Sequence, residues 1–160
     1  MKNEVSAGGI VFKKVPLTSL KTCGNKVLWL VVQHSQHKGW VFPKGLTTDH
    51  DGENDMKQTA LREVREEGGI VAKIVHEKPF FNEYWYQYDG ERIHKKVYYF
   101  LMEYVSGSEK DHDFEISQAL WLEEKDVLKK LTFENDKKNF KEAVKVLNSK
   151  FPACRQAGKS

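Results

Sequence analysis

Three glutamates near the middle of the chain have a spacing that would bring their carboxylates together. In a helix, residues i, i+3 and i+4 share one side, so Glu63, Glu66 and Glu67 would project from one face. Such carboxylates repel one another unless cations offset their charge. Arg62 and Arg65 could do this on a solvated acidic surface, whereas a hard divalent cation would bind the same oxygens directly. The spacing alone leaves open a solvated helix face or a magnesium or manganese site.

The residues around these glutamates predict the helix that must carry them. Apolar side chains recur at helical spacing, at Met56, Ala60, Leu61 and Val64. Asn54 or Asp55 could cap the start of the helix, and Gly68-Gly69 provides a stop at its end. We therefore predict a helix over residues 56–67.

Strands are predicted where β-branched and aromatic residues run between turn signals. These segments are residues 5–12, 27–33, 40–42, 70–75, 80–88, 95–105 and 116–122. Pro43-Lys44-Gly45 stops the third segment, and residues 46–55 are predicted to form a loop. Asp89-Gly90 is typical of a hairpin turn. Two later helices are predicted over residues 123–131 and 133–147, the second with Thr132 as its cap. This order favours one mixed, largely antiparallel sheet.

Length and composition indicate a single globular domain. The 160 residues include 26 basic and 23 acidic side chains, and a formal charge of +3 is too small to indicate general binding to nucleic acid or membranes. Residues 1–150 are predicted to form the domain, and residues 151–160, which lack periodicity, a flexible C-terminal tail. Cys23 and Cys154 make no disulfide framework or zinc motif, so we expect a cytoplasmic protein. It would be a monomer or a homodimer.

Residues 62–70 resemble the second half of a known family motif. Their sequence, Arg-Glu-Val-Arg-Glu-Glu-Gly-Gly-Ile, is similar at each specified position to the Nudix box, R-E-U-x-E-E-x-G-U with U aliphatic. Residues 40–45 resemble the strand and turn that precede the box in many members. With Ala7-Gly8-Gly9-Ile10-Val11 near the start, the resemblance covers most of the chain in the expected order. The chain is identified as a MutT-like member of the Nudix hydrolase superfamily.

The resemblance implies an α/β/α sandwich in which the box forms a loop, a helix and a loop beside the mixed sheet. It also implies that Glu63, Glu66 and Glu67 hold Mg²⁺ or Mn²⁺, with the Gly45 carbonyl as a further ligand. Arg62 would orient the carboxylates by ion pairing. The implied reaction is attack of water at phosphorus, for which divalent ions neutralise the polyphosphate and activate the water.

One segment departs from the family pattern. The pattern has its Arg fourteen positions after its first Gly, whereas Arg62 follows Gly45 by seventeen, so this turn is three residues longer. The early glutamate of the box is then ambiguous. Glu53 lies nine positions before Arg62 where the pattern has eight, and Asn54 occupies the eighth. Whether Glu53 has the family role stays open.

The general base has two candidates. Glu63 is one, and Glu115 is the other, since it precedes the strand that ends Ala119-Leu120-Trp121-Leu122, where several Nudix members place a catalytic or metal-binding glutamate. Read without the resemblance, Glu115 is equally compatible with solvated surface. Glu103, at the end of an apolar strand, is predicted to be a rim residue.

Aromatic and basic residues after the box suggest how a substrate would be held. Tyr86 and Tyr88 lie sixteen and eighteen residues beyond Ile70, and diadenosine tetraphosphate hydrolases, which the chain resembles, tend to carry a tyrosine about seventeen beyond the box. Aromatic faces stack on nucleobases, although alternating aromatics such as these and Tyr84 also simply pack a sheet. Lys44 adjoins the turn and is the strongest candidate for a phosphate contact.

Lys95 and Lys96 are further candidates for phosphate contacts. His34 and His37 lack carboxylate or cysteine companions, so we interpret them as surface or loop histidines rather than as a second metal site.

The sequence thus predicts a metal-dependent pyrophosphohydrolase of nucleoside or dinucleoside polyphosphates, with diadenosine tetraphosphate the favoured type. Its partner would be a small nucleotide, with no strong binding to nucleic acid. Two alternatives stay open. One is a hydrolase of damaged nucleoside triphosphates or of RNA 5′-triphosphate ends, and the other is a non-catalytic Nudix ligand-binding module.

Overall fold

The computed structural model describes residues 2–16, 25–47 and 55–151. Within these ranges, eight strands form one sheet that carries three helices. The strands are β1 (Lys2–Pro16), β2 (Asn25–His34), β3 (Trp40–Val41), β4 (Lys44–Leu46), β5 (Ile70–Ile74), β6 (Phe80–Tyr88), β7 (Glu91–Gly107) and β8 (Ile116–Leu122). The helices are α1 (Met56–Gly68), α2 (Glu124–Lys130) and α3 (Glu134–Lys150). Glu53, both cysteines and residues 152–160 lie outside the described residues.

The centre of the sheet is the parallel pair of β1 and β7. Lys2 to Phe12 of β1 run beside Ile93 to Glu103 of β7, and every other strand pair is antiparallel among the described residues. On its other edge β1 pairs first with β4 and then with β2, while the other edge of β7 carries β6 and then β5. The predicted mixed, largely antiparallel sheet is confirmed.

Helix α1 begins and ends where its capping residues indicated. The Asp55 side chain accepts hydrogen bonds from the backbone N–H groups of Lys57 and Gln58, and Gly69 ends the helix in the left-handed conformation at φ 74°. The predicted cap of α3 was wrong. Phe133 precedes that helix without a side-chain cap, and the Thr132 hydroxyl instead accepts a hydrogen bond from the backbone N–H of Trp40 at 2.8 Å.

Strand β4 lies in a segment whose sequence predicted a stop and a loop. Pro43 does interrupt the run, but Lys44–Leu46 then pairs with Ser6 to Gly8 of β1. A Cβ at Gly8 would lie 2.0 Å from the carbonyl oxygen of Pro43, so the absence of that side chain lets the turn approach β1. The strand therefore depends on a glycine that is distant in sequence.

Two apolar cores lie on opposite faces of the sheet. Alternate residues of the central strands point to opposite faces, so Val11 and Leu30 pack with α1, whereas Phe12 and Trp29 pack with α2 and α3. The first core includes Ala60 and Val64 of α1, and the second includes Val127, Phe140, Ala143 and Leu147. This arrangement is the predicted α/β/α sandwich. No helix in the described ranges is long and apolar enough to cross a membrane.

Phe140 joins α3 to the sheet at the centre of the second core. It is fully buried, and its ring meets that of Trp29 edge-on at 5.0 Å and that of Phe42 at 5.9 Å. We predict that Phe140→Ala lowers the free energy of unfolding by about 3–5 kcal/mol, because it leaves a cavity among rings that cannot close it. Urea denaturation measures this change. The same substitution at Phe114, which is 89% exposed, should change stability by less than about 0.5 kcal/mol. Equal losses in the two variants would contradict this description of the core.

Candidate functional site

The last two turns of α1 contact β4 through their carboxylates. Glu67 Oε1 accepts a hydrogen bond of 3.1 Å from the backbone N–H of Lys44. The Glu63 carboxylate lies directly against Gly45, since a Cβ at that position would be 2.1 Å from its carboxyl carbon. Helix α1 and the β4 turn, which are distant along the chain, are therefore in contact. Glu63 and Glu67, two of the three predicted glutamates, make this contact.

Glu66 points in a different direction from the other two. Its side chain is 43% exposed, and Arg62 lies between Glu66 Oε2 and Glu63 Oε1 at 3.8 Å from each. At this distance the ion pairs are loose, so they leave the carboxylates able to change partners. Arg62 is thus placed where the sequence predicted it, between the carboxylates it would orient.

The environment of Glu63 and Glu67 disfavours their charged forms. Burial, followed by the charge of Glu66, raises the pKa of Glu63 to about 7. Burial raises the pKa of Glu67 to about 8, although the hydrogen bond from Lys44 acts in the opposite direction. Neither carboxylate has enough positive charge nearby to offset its burial. A bound cation would stabilise the charged form of both.

The donor set fits a hard divalent ion in its chemistry. Within residues 2–16, 25–47 and 55–151, no three His, Cys, Asp or Glu side chains already converge into a closed cluster. The buried Glu67 carboxylate and the half-buried Glu63 carboxylate nevertheless lie at the β4 turn, and carboxylate oxygens are the ligand type that Mg²⁺ and Mn²⁺ prefer. Glu63, Glu67 and Gly45 could hold such an ion, and Glu66 would join them by rotating its side chain.

These carboxylates border a cavity of about 1030 Å³, which we call the central cavity. Its floor includes one residue from each of four adjacent strands, in the order Leu46, Ser6, Val97 and Asn82 across β4, β1, β7 and β6. We call this set the floor row. Its walls are formed by the following residues: His34, His37, Val41, Lys44, Gly45, Arg62, Glu63, Glu67, Tyr84, Tyr86, Lys95, Tyr99, Glu115, Phe133, Glu134, Asn135 and Asp136.

The predicted substrate-binding residues divide between this cavity and the surface. Lys44 and Tyr86 line the cavity, and the Tyr86 hydroxyl donates a hydrogen bond of 2.6 Å to Glu4. Lys95 lies beside them, and burial together with the charge of Lys44 lowers its pKa. Tyr88 lies at the end of the β6–β7 hairpin, 71% exposed, outside the cavity lining.

Glu115 reaches the cavity on a loop that is attached to both α1 and β2. The Asp113 N–H donates to the carbonyl oxygen of Glu66 at 2.8 Å, and Asp113 in turn accepts from the Glu115 N–H at 3.1 Å. The Glu115 carbonyl accepts from Ser35 at 2.8 Å. Glu103 is elsewhere, on β7 beside Lys73, and does not line the cavity.

Several cavity residues were not predicted from the sequence. His34 and His37, interpreted there as surface or loop residues, stack at 4.3 Å on the cavity wall, and burial followed by the charge of His34 lowers the pKa of His37. Phe133 lies beside them, with its ring 6.2 Å from that of His37. Asn82 and Asp136 come from β6 and α3. No motif links these residues in sequence, because they meet only through strand order and the position of α3.

Comparison with known proteins identifies the family. The family model described as NUDIX domain matches residues 19–144, which is most of the chain. The chain belongs to the Nudix family. It is 32% identical over 99 residues to the protein named MutT4 from Mycobacterium tuberculosis, a match that covers 62% of this chain and 38% of that relative.

Solved structures share the Nudix fold. The Ap4A hydrolase of C. elegans, in a binary complex, aligns with a TM-score of 0.65 at 20% identity, over 92% of this chain and 99% of that one. The NUDIX domain of Shewanella oneidensis NrtR, complexed with ADP ribose, aligns with a TM-score of 0.64 at 19% identity, over 92% and 90% of the two chains. At these identities the likeness concerns the fold. Residues 48–54, which include Glu53, lie outside the described residues.

Replacement by alanine should affect stability differently at two glycines of this site. In Gly8→Ala the new methyl meets the backbone of Pro43, which cannot move aside, so we expect a loss of about 1–3 kcal/mol or more of stability. In Gly45→Ala its nearest neighbours are atoms at the end of the flexible Glu63 side chain, so stability should fall by less than about 1 kcal/mol while Glu63 is displaced. Urea denaturation of both variants checks this. A Gly45→Ala variant that is as unstable as Gly8→Ala would show that the Glu63 contact is not as described.

Proposed function

We propose that the chain is a divalent-metal-dependent pyrophosphohydrolase of dinucleoside polyphosphates, with diadenosine tetraphosphate the best representative. The observation that carries this proposal is the arrangement of one continuous cavity. Carboxylates and lysines occupy its middle, and aromatic side chains flank them on two sides. A polyphosphate with a nucleoside at each end has the same distribution of charge and aromatic surface.

The strand order supports the two-sided arrangement. Strand β4, which carries Lys44 and Gly45, pairs with β1 at the middle of the sheet. On one side, the end of β2 and the following turn supply His34 and His37, with Phe133 beside them. On the other side, beyond β1 and β7, strand β6 supplies Tyr84 and Tyr86. Stacking on such rings contributes roughly 1–3 kcal/mol per base, so each end of the substrate would gain from its own group.

The middle of the cavity would hold the metal and the phosphates. Glu63, Glu66 and Glu67, with the Gly45 carbonyl, are the proposed ligands, and Arg62 positions the carboxylates. When bound, the ion would supply charge neutralisation and activation of water. Lys44 and Lys95 would bind phosphate oxygens from the wall of the cavity.

Glu115 is the proposed general base, with Glu63 as the alternative. Glu115 borders the cavity, its loop is fixed to α1 through Asp113, and it is not needed as a ligand. A carboxylate in this position can accept the proton of the attacking water if the water lies within hydrogen-bonding distance. Glu63 is the alternative because its carboxylate lies against Gly45 and borders the cavity.

A second candidate is hydrolysis of a nucleoside triphosphate. The chain is 32% identical over 99 residues to a relative named mutator protein MutT4, which keeps this candidate beside the first. In that case one aromatic end of the cavity would bind the base and the other would have no part in catalysis.

A substrate panel tests the proposal. With Mg²⁺ present, we expect diadenosine tetraphosphate to be cleaved to mononucleotides with a higher kcat/KM than nucleoside triphosphates, ADP-ribose, diphosphoinositol phosphates or 5′-triphosphate RNA. The physical reason is that only the first has aromatic groups at both ends of its polyphosphate. Product analysis by anion-exchange chromatography gives the rates and the bond cleaved. Higher kcat/KM for a triphosphate would favour the second candidate, and no turnover of any substrate would overturn the assignment as an enzyme.

A pair of matched variants distinguishes an effect at the proposed metal site from a general effect of replacing a glutamate. Glu67→Gln keeps the acceptor for Lys44 but removes the charge, and should lower kcat by roughly 10²-fold or more with little loss of stability. Glu142→Gln, the same change on the exposed side of α3, should behave as wild type. Full turnover in Glu67→Gln would contradict the proposed metal site.

A further inference from the structure

We propose that Asp113 is a positioning residue for Glu115, because its hydrogen bonds attach the loop that carries Glu115 to the end of α1. This loop, residues 108–115, connects β7 to β8 and is called the β7–β8 loop here. The inference deepens the proposed function and rests on it, since it takes Glu115 as the general base.

The β7–β8 loop has no apolar anchor of its own. None of its residues is buried, and Phe114, which precedes Glu115, is 89% exposed. The first buried residue after the loop is Ile116, at the start of β8. Since packing does not hold this segment, its conformation depends on its hydrogen bonds.

Asp113 is bonded to α1 and to Glu115 at the same time. Its backbone N–H donates to the carbonyl oxygen of Glu66 at 2.8 Å, in the last turn of α1, where carbonyl groups have no partner within the helix. Its side-chain Oδ1 accepts from the backbone N–H of Glu115 at 3.1 Å. One residue thus joins the helix that carries the proposed metal ligands to the backbone of the proposed base.

Two further contacts hold the β7–β8 loop in place. A Cβ at Gly69, just after α1, would lie 2.4 Å from the carbonyl oxygen of Ser108 and 2.8 Å from the backbone nitrogen of His112, so this glycine permits a close approach. At the other end of the loop, the Glu115 carbonyl oxygen accepts from the N–H of Ser35, after β2. The backbone of Glu115 is therefore held from both sides.

The Glu115 carboxylate lies near the proposed metal site. It borders the central cavity, and its charge is one of the smaller causes that raise the pKa of Glu63. A general base must lie roughly 2.6–3.2 Å from the atom whose proton it accepts, and a displacement of about 1 Å can lower a rate about 10²-fold. Loss of the bond between Asp113 and the Glu115 N–H should therefore lower kcat and leave KM unchanged.

Two substitutions of Asp113 isolate this hydrogen bond. Both Asp113→Ala and Asp113→Asn remove a charge that acts on Glu63 and Glu67, but asparagine keeps an oxygen that can accept from the Glu115 N–H. In Mg²⁺-dependent hydrolysis of diadenosine tetraphosphate, we expect Asp113→Ala to lower kcat about tenfold or more, with KM changed less than about twofold. Asp113→Asn should stay within about threefold of wild type in kcat.

The matched control is Asp111→Ala, the same change at an exposed position of the same loop, which should behave as wild type. Equal losses of kcat in Asp113→Ala and Asp113→Asn would overturn the inference. An effect of Asp113→Ala on KM alone would also overturn it.

Combination with Glu115→Gln shows whether Asp113 acts through Glu115. If it does, adding Asp113→Ala to Glu115→Gln should cause no further loss of kcat. Multiplication of the two losses would overturn the inference, because an effect of Asp113 on the structure in general would persist without the base.

Amide hydrogen exchange, followed by NMR, needs no turnover and so separates this inference from the proposed function. Asp113→Ala should raise the exchange rate of the Glu115 N–H about fivefold or more, whereas Asp113→Asn should not. Unchanged exchange in Asp113→Ala would overturn this inference alone. Full turnover in Glu115→Gln, with exchange as expected, would overturn the role of Glu115 in the proposed function and not the attachment of its loop.

Discussion

The contact between the end of α1 and strand β4 is the constraint on which the rest of the site depends. Gly8 lets the Pro43 turn approach β1, and Gly45 leaves room for the Glu63 carboxylate, so the buried Glu67 and the half-buried Glu63 lie against a backbone turn. Burial of carboxylates without matching positive charge is costly, and here it raises the pKa of both groups. The cost suggests a site kept for a ligand rather than for stability, because an apolar contact would join the helix to the sheet with less strain.

The same contact determines where charged and aromatic side chains lie in the cavity. Because β4 lies at the middle of the sheet, Lys44 and the α1 carboxylates occupy the centre, and aromatic groups from β6 and from the turn after β2 lie on two sides. Helix α3 then adds Asp136, which accepts a hydrogen bond from Tyr99 and also lines the cavity. Charge at the centre and rings at the ends are what a polyphosphate with attached bases requires, and this is the basis of the proposed function.

The sequence predicted those parts of the site that are formed by residues close together along the chain. Helical spacing, a cap at Asn54 or Asp55 and the Gly68-Gly69 stop predicted α1, and alternation predicted most strands. The three glutamates were expected to project together, whereas Glu66 is 43% exposed and only Glu63 and Glu67 line the cavity. The sequence did not predict the contacts between segments that are distant along the chain. Strand β4 forms because Gly8 lies opposite it, and the stack of His34 on His37 becomes a cavity wall only when Phe133 lies beside it. Tyr86 and Tyr88 looked equivalent in sequence, yet only the first lines the cavity.

The most direct measurement is a crystal structure of the protein soaked in Mn²⁺, with the ion located by its anomalous scattering. If the carboxylates of α1 form a metal site, the ion will lie between Glu63 and Glu67, within coordination distance of both and of the Gly45 carbonyl oxygen. Manganese bound elsewhere, or not bound while both carboxylates keep their contacts to β4, would contradict the proposal that this junction holds a divalent ion.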